Sequence, residues 1–317
     1  MKKEMIYSMD SGFREEFQVV GYRFGGKETE GVEEKSACII GSMRGNEYQQ
    51  LYICAMLMNR LTELEEKGAI AGNNRILVIP SLNNVSMNVE KRFWTSDNTD
   101  INRQFPGNEQ GEPTSRIAAA VMKAVEGYRY GIQFASVYKD GEFISHVRMP
   151  ETGKESTSLA NLFGLPYVMV AKQRSFDSKT LNYNWQIRGT EAFSLYTSNT
   201  ETVDEAQARQ AVSAVLRFLT RMGILRYNCH NGYIASILEE KELVNVKSSS
   251  AGFFRKLVHI NEEVKRGDVL AEIIDPYLGN TISEIHAPVD GIVFYTSRKP
   301  IILQNSIAFQ MIKKLHE

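Results

Sequence analysis

A chain of 317 residues exceeds the size at which one hydrophobic core is usual, so a large domain joined to a smaller one is expected. Its 43% apolar and 24% charged content is that of a soluble globular protein, and a formal net charge of -1 gives no electrostatic pull toward nucleic acid or anionic membrane. Apolar runs of about 18 residues are lacking and no apolar core follows the two N-terminal lysines, so a cytoplasmic protein is expected. Cys38, Cys54 and Cys229 neither pair evenly nor form a CxxC, which points to buried free thiols rather than a disulfide framework or thiolate zinc site.

FQVVGYRF and SACIIGSM are rich in β-branched and apolar residues and read as buried strands. Between Glu47 and Lys67, the residues Leu51, Cys54, Ala55, Met58, Leu61 and Leu64 recur at intervals of three and four, placing one apolar stripe on a helix. RILVIPSL reads as a strand that stops near Pro80. From Asn83 to Gly111 periodicity is lost among Asn, Asp, Gly and Pro, which predicts a long irregular loop of the kind that carries function. Thr114 stands where it can cap the alanine-rich helix SRIAAAVMKAVEGY. YGIQFASV, GLPYVMVA and AFSLYT read as further strands, with a helix at SLANLFG between the first two. DEAQARQAVSAVLRFLTRMGI is a strong amphipathic helix, with Asp204 near its start and Gly223 suited to its end.

This alternation predicts a three-layer α/β domain over residues 1–223. Beyond residue 224 the helical period disappears. GYIASILE, LVNVKSS, GFFRKLVHI, DVLAEIID, EIHAPVDGIVFYT and AFQMIKK are short strand-like pieces between turn signals, so residues 224–317 are expected to form a small all-β domain.

Two phrases carry the chemistry. Gly41-Ser42-Met43-Arg44-Gly45-Asn46-Glu47 is followed some fifty residues later by Asp100-Ile101-Asn102-Arg103-Gln104-Phe105-Pro106-Gly107. The pairing resembles the succinylglutamate desuccinylase/aspartoacylase family of the zinc carboxypeptidase superfamily, where the first phrase reads Gly-x-x-His-Gly-Asn-Glu and the second Asp-Leu-Asn-Arg-x-Phe-Pro-Gly. The resemblance extends over residues 17–313 and implies a carboxypeptidase-like domain with a mixed central sheet. In that family a His/Glu/His set holds zinc, leaving an open position for the water that attacks an amide carbonyl. Here the first histidine position is Arg44, a group that stays protonated and has no lone pair for a metal. Glu47 is retained. The second histidine position aligns with Ala135 in Gln133-Phe134-Ala135-Ser136, and the general-base glutamate position aligns with Tyr196 in Ser194-Leu195-Tyr196-Thr197-Ser198. His146 is the only histidine outside the predicted β-domain; it follows the Ala135 position and can approach the cleft, but reads first as a surface or packing residue. Glu191 is a replacement for the lost glutamate only if the register slips.

The recognition half of the resembled site is better preserved. Asn102 and Arg103 match residues that hold the carboxylate of an N-acyl amino acid, a task suited to a planar guanidinium, and Arg148 stands where the family often has another arginine. Loss of both imidazoles with retention of the glutamate predicts that Arg44 fills the metal's volume and pairs with Glu47. Gly267-Asp268-Val269-Leu270 and Ala287-Pro288-Val289-Asp290-Gly291 resemble the biotinyl/lipoyl-type hammerhead fold, but Pro276–Thr281 lacks the lysine such carriers modify.

Two readings follow. The first is a family member with a degenerate zinc site, needing no cofactor, that binds a small carboxylate-bearing amino-acid derivative or partners an active paralogue or a second copy. The second is an active amidohydrolase of an N-acyl amino acid, either with a rearranged zinc site or with Tyr196, Arg44 and Glu47 as acid, anion binder and base, and with Trp94 and Trp185 lining its cleft. Neither involves nucleic acid or membrane.

Overall fold

The computed structural model describes residues 1–12, 15–26, 34–136, 141–197 and 200–314. Two compact units emerge, one of Met1–Ser136 and His146–Ile237, the other of Val137–Ser145 and Leu238–Glu317.

In the large unit, β1 (Lys2–Met9) lies on the sheet edge and pairs antiparallel with β2 (Phe17–Gly25). The edge position leaves β1 largely solvated, which is why its charged sequence carries no strand signal. Then come β3 (Glu34–Ser42), helix α1 (Tyr48–Glu66), β4 (Asn74–Ser81), a short α2 (Asn84–Met87), α3 (Pro113–Ala124) and β5 (Tyr130–Ala135). After β6 (Gly141–Phe143), the chain continues through β7 (His146–Pro150), α4 (Thr157–Asn161), β8 (Tyr167–Ala171), α5 (Leu181–Ile187), β9 (Glu191–Tyr196), α6 (Glu205–Arg221) and β10 (Ser236–Glu239). The nine-stranded sheet has the order β1-β2-β4-β3-β5-β9-β7-β8-β10. Parallel pairs β3–β4, β3–β5, β5–β9 and β7–β8 combine with antiparallel β2–β4 and β7–β9, so the sheet is mixed.

Helices cover both faces, which is why the central strands are apolar throughout rather than alternating. On one face α1, α4 and α6 pack on Ile39, Val78, Ile132 and Phe193, and the stacked rings of Phe163 and Phe218 lie 4.3 Å apart between their centroids. On the other face α3 and α5 pack on Cys38, Ile40, Leu77 and Ile79. Trp94 and Trp185, expected to line a cleft, belong to this second core at 4% and 1% exposure. A Cβ on Gly131 would sit 2.7 Å from the Trp185 ring, so the strand has room for the indole only because that position is glycine.

The termini of α6 follow local chemistry, whereas the start of α3 does not. Asp204 caps α6 by accepting from the Gln207 amide, and Gly223 ends it with a positive φ of 73°. Thr114 does not cap α3. Glu112 holds that position, Pro113 opens the helix, and Thr114 donates its hydroxyl and its amide to the Asp97 carboxylate. The long loop thus supplies a negative charge to the helix N-terminus from a distance no local pattern could reveal.

The large unit runs on to Ile237, past the boundary expected at residue 223. Leu225 bridges Ile70, Arg226 N–H donates to Ala69, and β10 joins the large sheet, so this stretch is tied to the large unit by backbone hydrogen bonds. In the small unit β11 (Leu243–Lys247), β12 (Gly252–Lys256), β13 (Glu263–Val264), β14 (Val269–Ile274), β15 (Thr281–His286), β16 (Gly291–Ser297), β17 (Ile301–Ile302) and β18 (Ile307–Lys313) form two antiparallel sheets. They enclose a core of residues such as Leu270, Ile273, Val293, Phe309 and Met311, as expected of an all-β domain. Strand β6, from between β5 and β7, pairs with β16. No helix among the described residues is long and apolar enough to cross a membrane.

Candidate functional site

The carboxyl ends of β3, β5 and β9 point to one edge of the large sheet, and β7, running the other way, begins there. Ligand sites of open α/β sheets sit at such edges. The register sets Ala135 beside Tyr196 and Tyr196 beside His146. Arg44 and Glu47 lie in the short turn between β3 and α1, and Ser136 follows β5 directly.

Glu47 is 1% exposed and its carboxylate is fully engaged. Oε2 accepts the backbone N–H of Met43 at 2.7 Å and of Arg44 at 3.1 Å. Oε1 accepts Arg44 Nη1 at 2.9 Å and the Ser136 hydroxyl. The expected Arg44–Glu47 ion pair is therefore present. Sequence reading missed its second half. The Arg44 guanidinium also grips Asp100 through both oxygens, Nε to Oδ1 at 3.0 Å and Nη2 to Oδ2 at 2.9 Å. Arg44 is 5% exposed, and burial by itself disfavours its charge, but Glu47 and Asp100 more than offset this and raise its pKa. Burial likewise opposes ionisation of Asp100, yet the charge and hydrogen bonds of Arg44, the Asn102 amide and the charge of Arg103 together hold its carboxyl below the ordinary value.

Both missed residues adjoin residues already singled out. Asp100 opens the phrase containing Asn102 and Arg103, and Ser136 follows Ala135. Asp100 also caps the 3-10 turn Ile101–Arg103 by accepting the Asn102 amide at 3.0 Å, which couples the Arg44 clamp to the recognition loop. Asn102 Oδ1 accepts the Leu181 amide at 3.0 Å and so anchors α5. Arg103 donates to the Asn102 carbonyl at 2.8 Å and lies 4.8 Å from the centroid of the half-exposed Phe176 ring. Among the described residues it has no carboxylate partner. Arg174 lies 4.7 Å from the same centroid and pairs with Asp177.

His146 is buried, not a surface group, and stacks on Tyr196 with 5.2 Å between ring centroids and 3° between planes. Arg148, two residues along β7, places its guanidinium carbon 5.9 Å from the Tyr196 ring centroid. Glu191 stands at the opposite end of β9, paired with Tyr130, and is not part of this cluster.

The family's zinc chemistry needs three donors with lone pairs. At this edge one imidazole position is a guanidinium already held by two carboxylates, the other is a methyl group, and the acceptor sites of Glu47 are committed to four N–H and O–H donors. Among the described residues no cluster of three or more His, Cys, Asp or Glu side chains has a geometry suited to a metal. The residues present do not fit zinc, and no hydrolytic step can be derived through it.

A three-layer α/β domain with a mixed sheet, a site at the carboxyl edge and an appended small β unit define a carboxypeptidase-like protein. Residues 33–222 match the family model described as the succinylglutamate desuccinylase/aspartoacylase catalytic domain, and the chain belongs to this family of deacylases. Similar solved structures include a succinylglutamate desuccinylase/aspartoacylase from Rhodobacter sphaeroides, 16% identical with a TM-score of 0.75 over 99% of this chain and 95% of that one. A product-bound ectoine utilization protein, EutE (DoeB), from Ruegeria pomeroyi is 15% identical with a TM-score of 0.73 over 94% and 90% of the respective chains. These likenesses establish the fold. An N-alpha-acetyl-L-2,4-diaminobutyric acid deacetylase from Halomonas elongata is 28% identical over 86 residues, a stretch spanning 27% of this chain and 23% of that relative.

Proposed function

We propose that this chain is a family member in which recognition has outlasted the metal centre, and that it binds a small carboxylate-bearing amino-acid derivative without hydrolysing it through zinc. The observation that carries the reading is the Arg44 guanidinium bridging Glu47 and Asp100 where the family's chemistry calls for a metal ligand. A fixed cation with two anions bound satisfies the retained glutamate and removes the need for a metal charge. Arg103 is the ligand contact, because it stands in the motif position for carboxylate binding and has no acidic partner among the described residues. Arg148 and the adjacent Tyr196 are further ligand contacts in this reading, and the chemistry of the relatives points to an N-acyl amino acid.

The test combines metal analysis of protein purified without chelator with a thermal-shift screen of N-acetyl amino acids. Substoichiometric zinc and a ligand-dependent rise in Tm that Arg103→Ala abolishes are the expected results. Stoichiometric zinc lost on Glu47→Ala would overturn the degenerate site, and absence of stabilisation by any carboxylate would overturn the binding role.

A second reading, amide hydrolysis without zinc, draws on the Ser136 hydroxyl donating to Glu47, the arrangement of a nucleophile and its base. The Arg44 guanidinium already occupies Glu47 Oε1 and weighs against it. Turnover of N-acyl amino acids by metal-free protein, lost on Ser136→Ala, would favour this reading over the first.

A further inference from the structure

At the opposite end of the same parallel strands, a groove of about 570 Å³ opens between β1 and α3. It lies roughly 20–25 Å along β3 from Arg44, judged from the rise per residue of a strand. Ile6 and Leu77 give it an apolar lining from the sheet. Helical spacing explains the other wall. Arg116, Ala120 and Lys123 follow at intervals of four and three, with Ala124 next to the last, so α3 turns one face to the groove on which the small Ala120 lies between two basic residues. From the sheet, the pairing of β3 with β4 sets Lys35 beside Arg75.

The charges do not balance within the groove. Arg75 is spent on Glu4, both of whose carboxylate oxygens it contacts, at 3.0 and 2.9 Å. Lys35 donates to the Glu126 backbone carbonyl at 2.8 Å. Lys123 has no acidic partner among the described residues, and Glu109 is the one other acid that lines the groove. Arg116 is the most telling. Among the described residues its Nη2 meets only the thioether of Met9, at 3.1 Å, and its Nε–H is enclosed with no acceptor. A thioether is a weak acceptor, so the terminal N–H groups of this guanidinium are left for an oxyanion entering the groove.

We infer that this groove is a second binding site, for an oxyanion, phosphate or carboxylate, carried on a small apolar body. The oxyanion sits on Arg116 with Lys35 and Lys123 around it, and the apolar body lies against Leu77, Ala120 and Ala124. A planar guanidinium pairs with the two oxygens of either group, so both share one recognition chemistry. Arg103 does not line this groove, and the site does not depend on the function proposed for that residue.

Isothermal titration of the full chain with phenyl phosphate, benzoate and neutral benzyl alcohol tests the assignment. At least one of the two anions is expected to bind with one-to-one stoichiometry, and the anion that binds more tightly identifies the headgroup. Benzyl alcohol should bind at least about tenfold more weakly, the worth of one charge-assisted contact. Arg116→Gln should weaken anion binding by a similar factor, and Lys123→Gln, on the helix surface, should do so in part. Arg103→Ala should leave it unchanged. Circular dichroism melting establishes that each variant is folded, with Lys123→Gln as the decisive variant should Arg116→Gln unfold. The inference is overturned by absence of saturable anion binding, by equal binding of benzyl alcohol, by wild-type affinity in both groove variants, or by loss of binding on Arg103→Ala.

Discussion

Replacing Arg44 by methionine removes the cation but keeps much of the side-chain volume. Three charge-assisted hydrogen bonds to carboxylates disappear, one to Glu47 and two to Asp100. Removing one partner of a buried ion pair costs about 3–5 kcal/mol, mostly for the charge left behind. Glu47, with a side chain 1% exposed, cannot rehydrate, whereas Asp100 at 12% can do so in part, so we expect about 4 kcal/mol. That corresponds to a Tm lower by roughly 8–16 °C for a unit of this size. Both tryptophans lie in the second core of the large unit, so urea unfolding followed by fluorescence reads that unit alone. The sign of the pH dependence follows from Asp100. Its carboxyl is held below the ordinary value in the native wild type, so its contribution is present above an unfolded pKa of about 3.9 and is lost as pH falls through the native value. In Arg44→Met burial remains while its counter-ion is gone, so Asp100 should titrate above the ordinary value. The stability gap between wild type and variant should then be widest near neutral pH and narrow toward about pH 4. Adding Glu47→Gln to the variant should restore a large part of the loss. A gap under about 1 kcal/mol at neutral pH, or one that does not change with pH, would refute the assignment of Arg44 as a buried counter-ion.

Other predictions test the supporting structure. Asp97→Ala removes the remote acceptor of the buried Thr114 hydroxyl and amide at the start of α3, and should cost about 1–3 kcal/mol in the same urea assay. Gly131→Ala places a methyl group 2.7 Å from the Trp185 ring and should cost about 1–3 kcal/mol, with a shift in native fluorescence that a remote destabilising change would not give. Burial pushes the Cys38 and Cys54 thiols far above their ordinary range, whereas Cys229 is partly exposed, so titration of the native protein with a disulfide reagent should modify Cys229 rapidly and the other two only on unfolding.

The sequence by itself determined the layered fold, because the evidence for it is local. The stripe at Leu51, Cys54, Leu61 and Leu64 and the apolar strands around it each specify an element through their own spacing, and short connections then leave few topologies. It also determined the chemistry excluded at Arg44 and Ala135, since a guanidinium and a methyl group bind no metal in any fold. The tertiary structure decided what those residues do instead. Asp100 is 56 residues from Arg44, and Ser136 is 89 from Glu47, so neither contact leaves a periodic trace. The same holds for Thr114, whose partner is 17 residues away, and for Trp185, whose burial depends on Gly131. Local spacing selects elements because neighbouring residues share one backbone geometry. Which distant side chains then neutralise one another follows from strand order and register, and these brought Asp100, from the long loop, to the guanidinium that Glu47 of the same motif already holds.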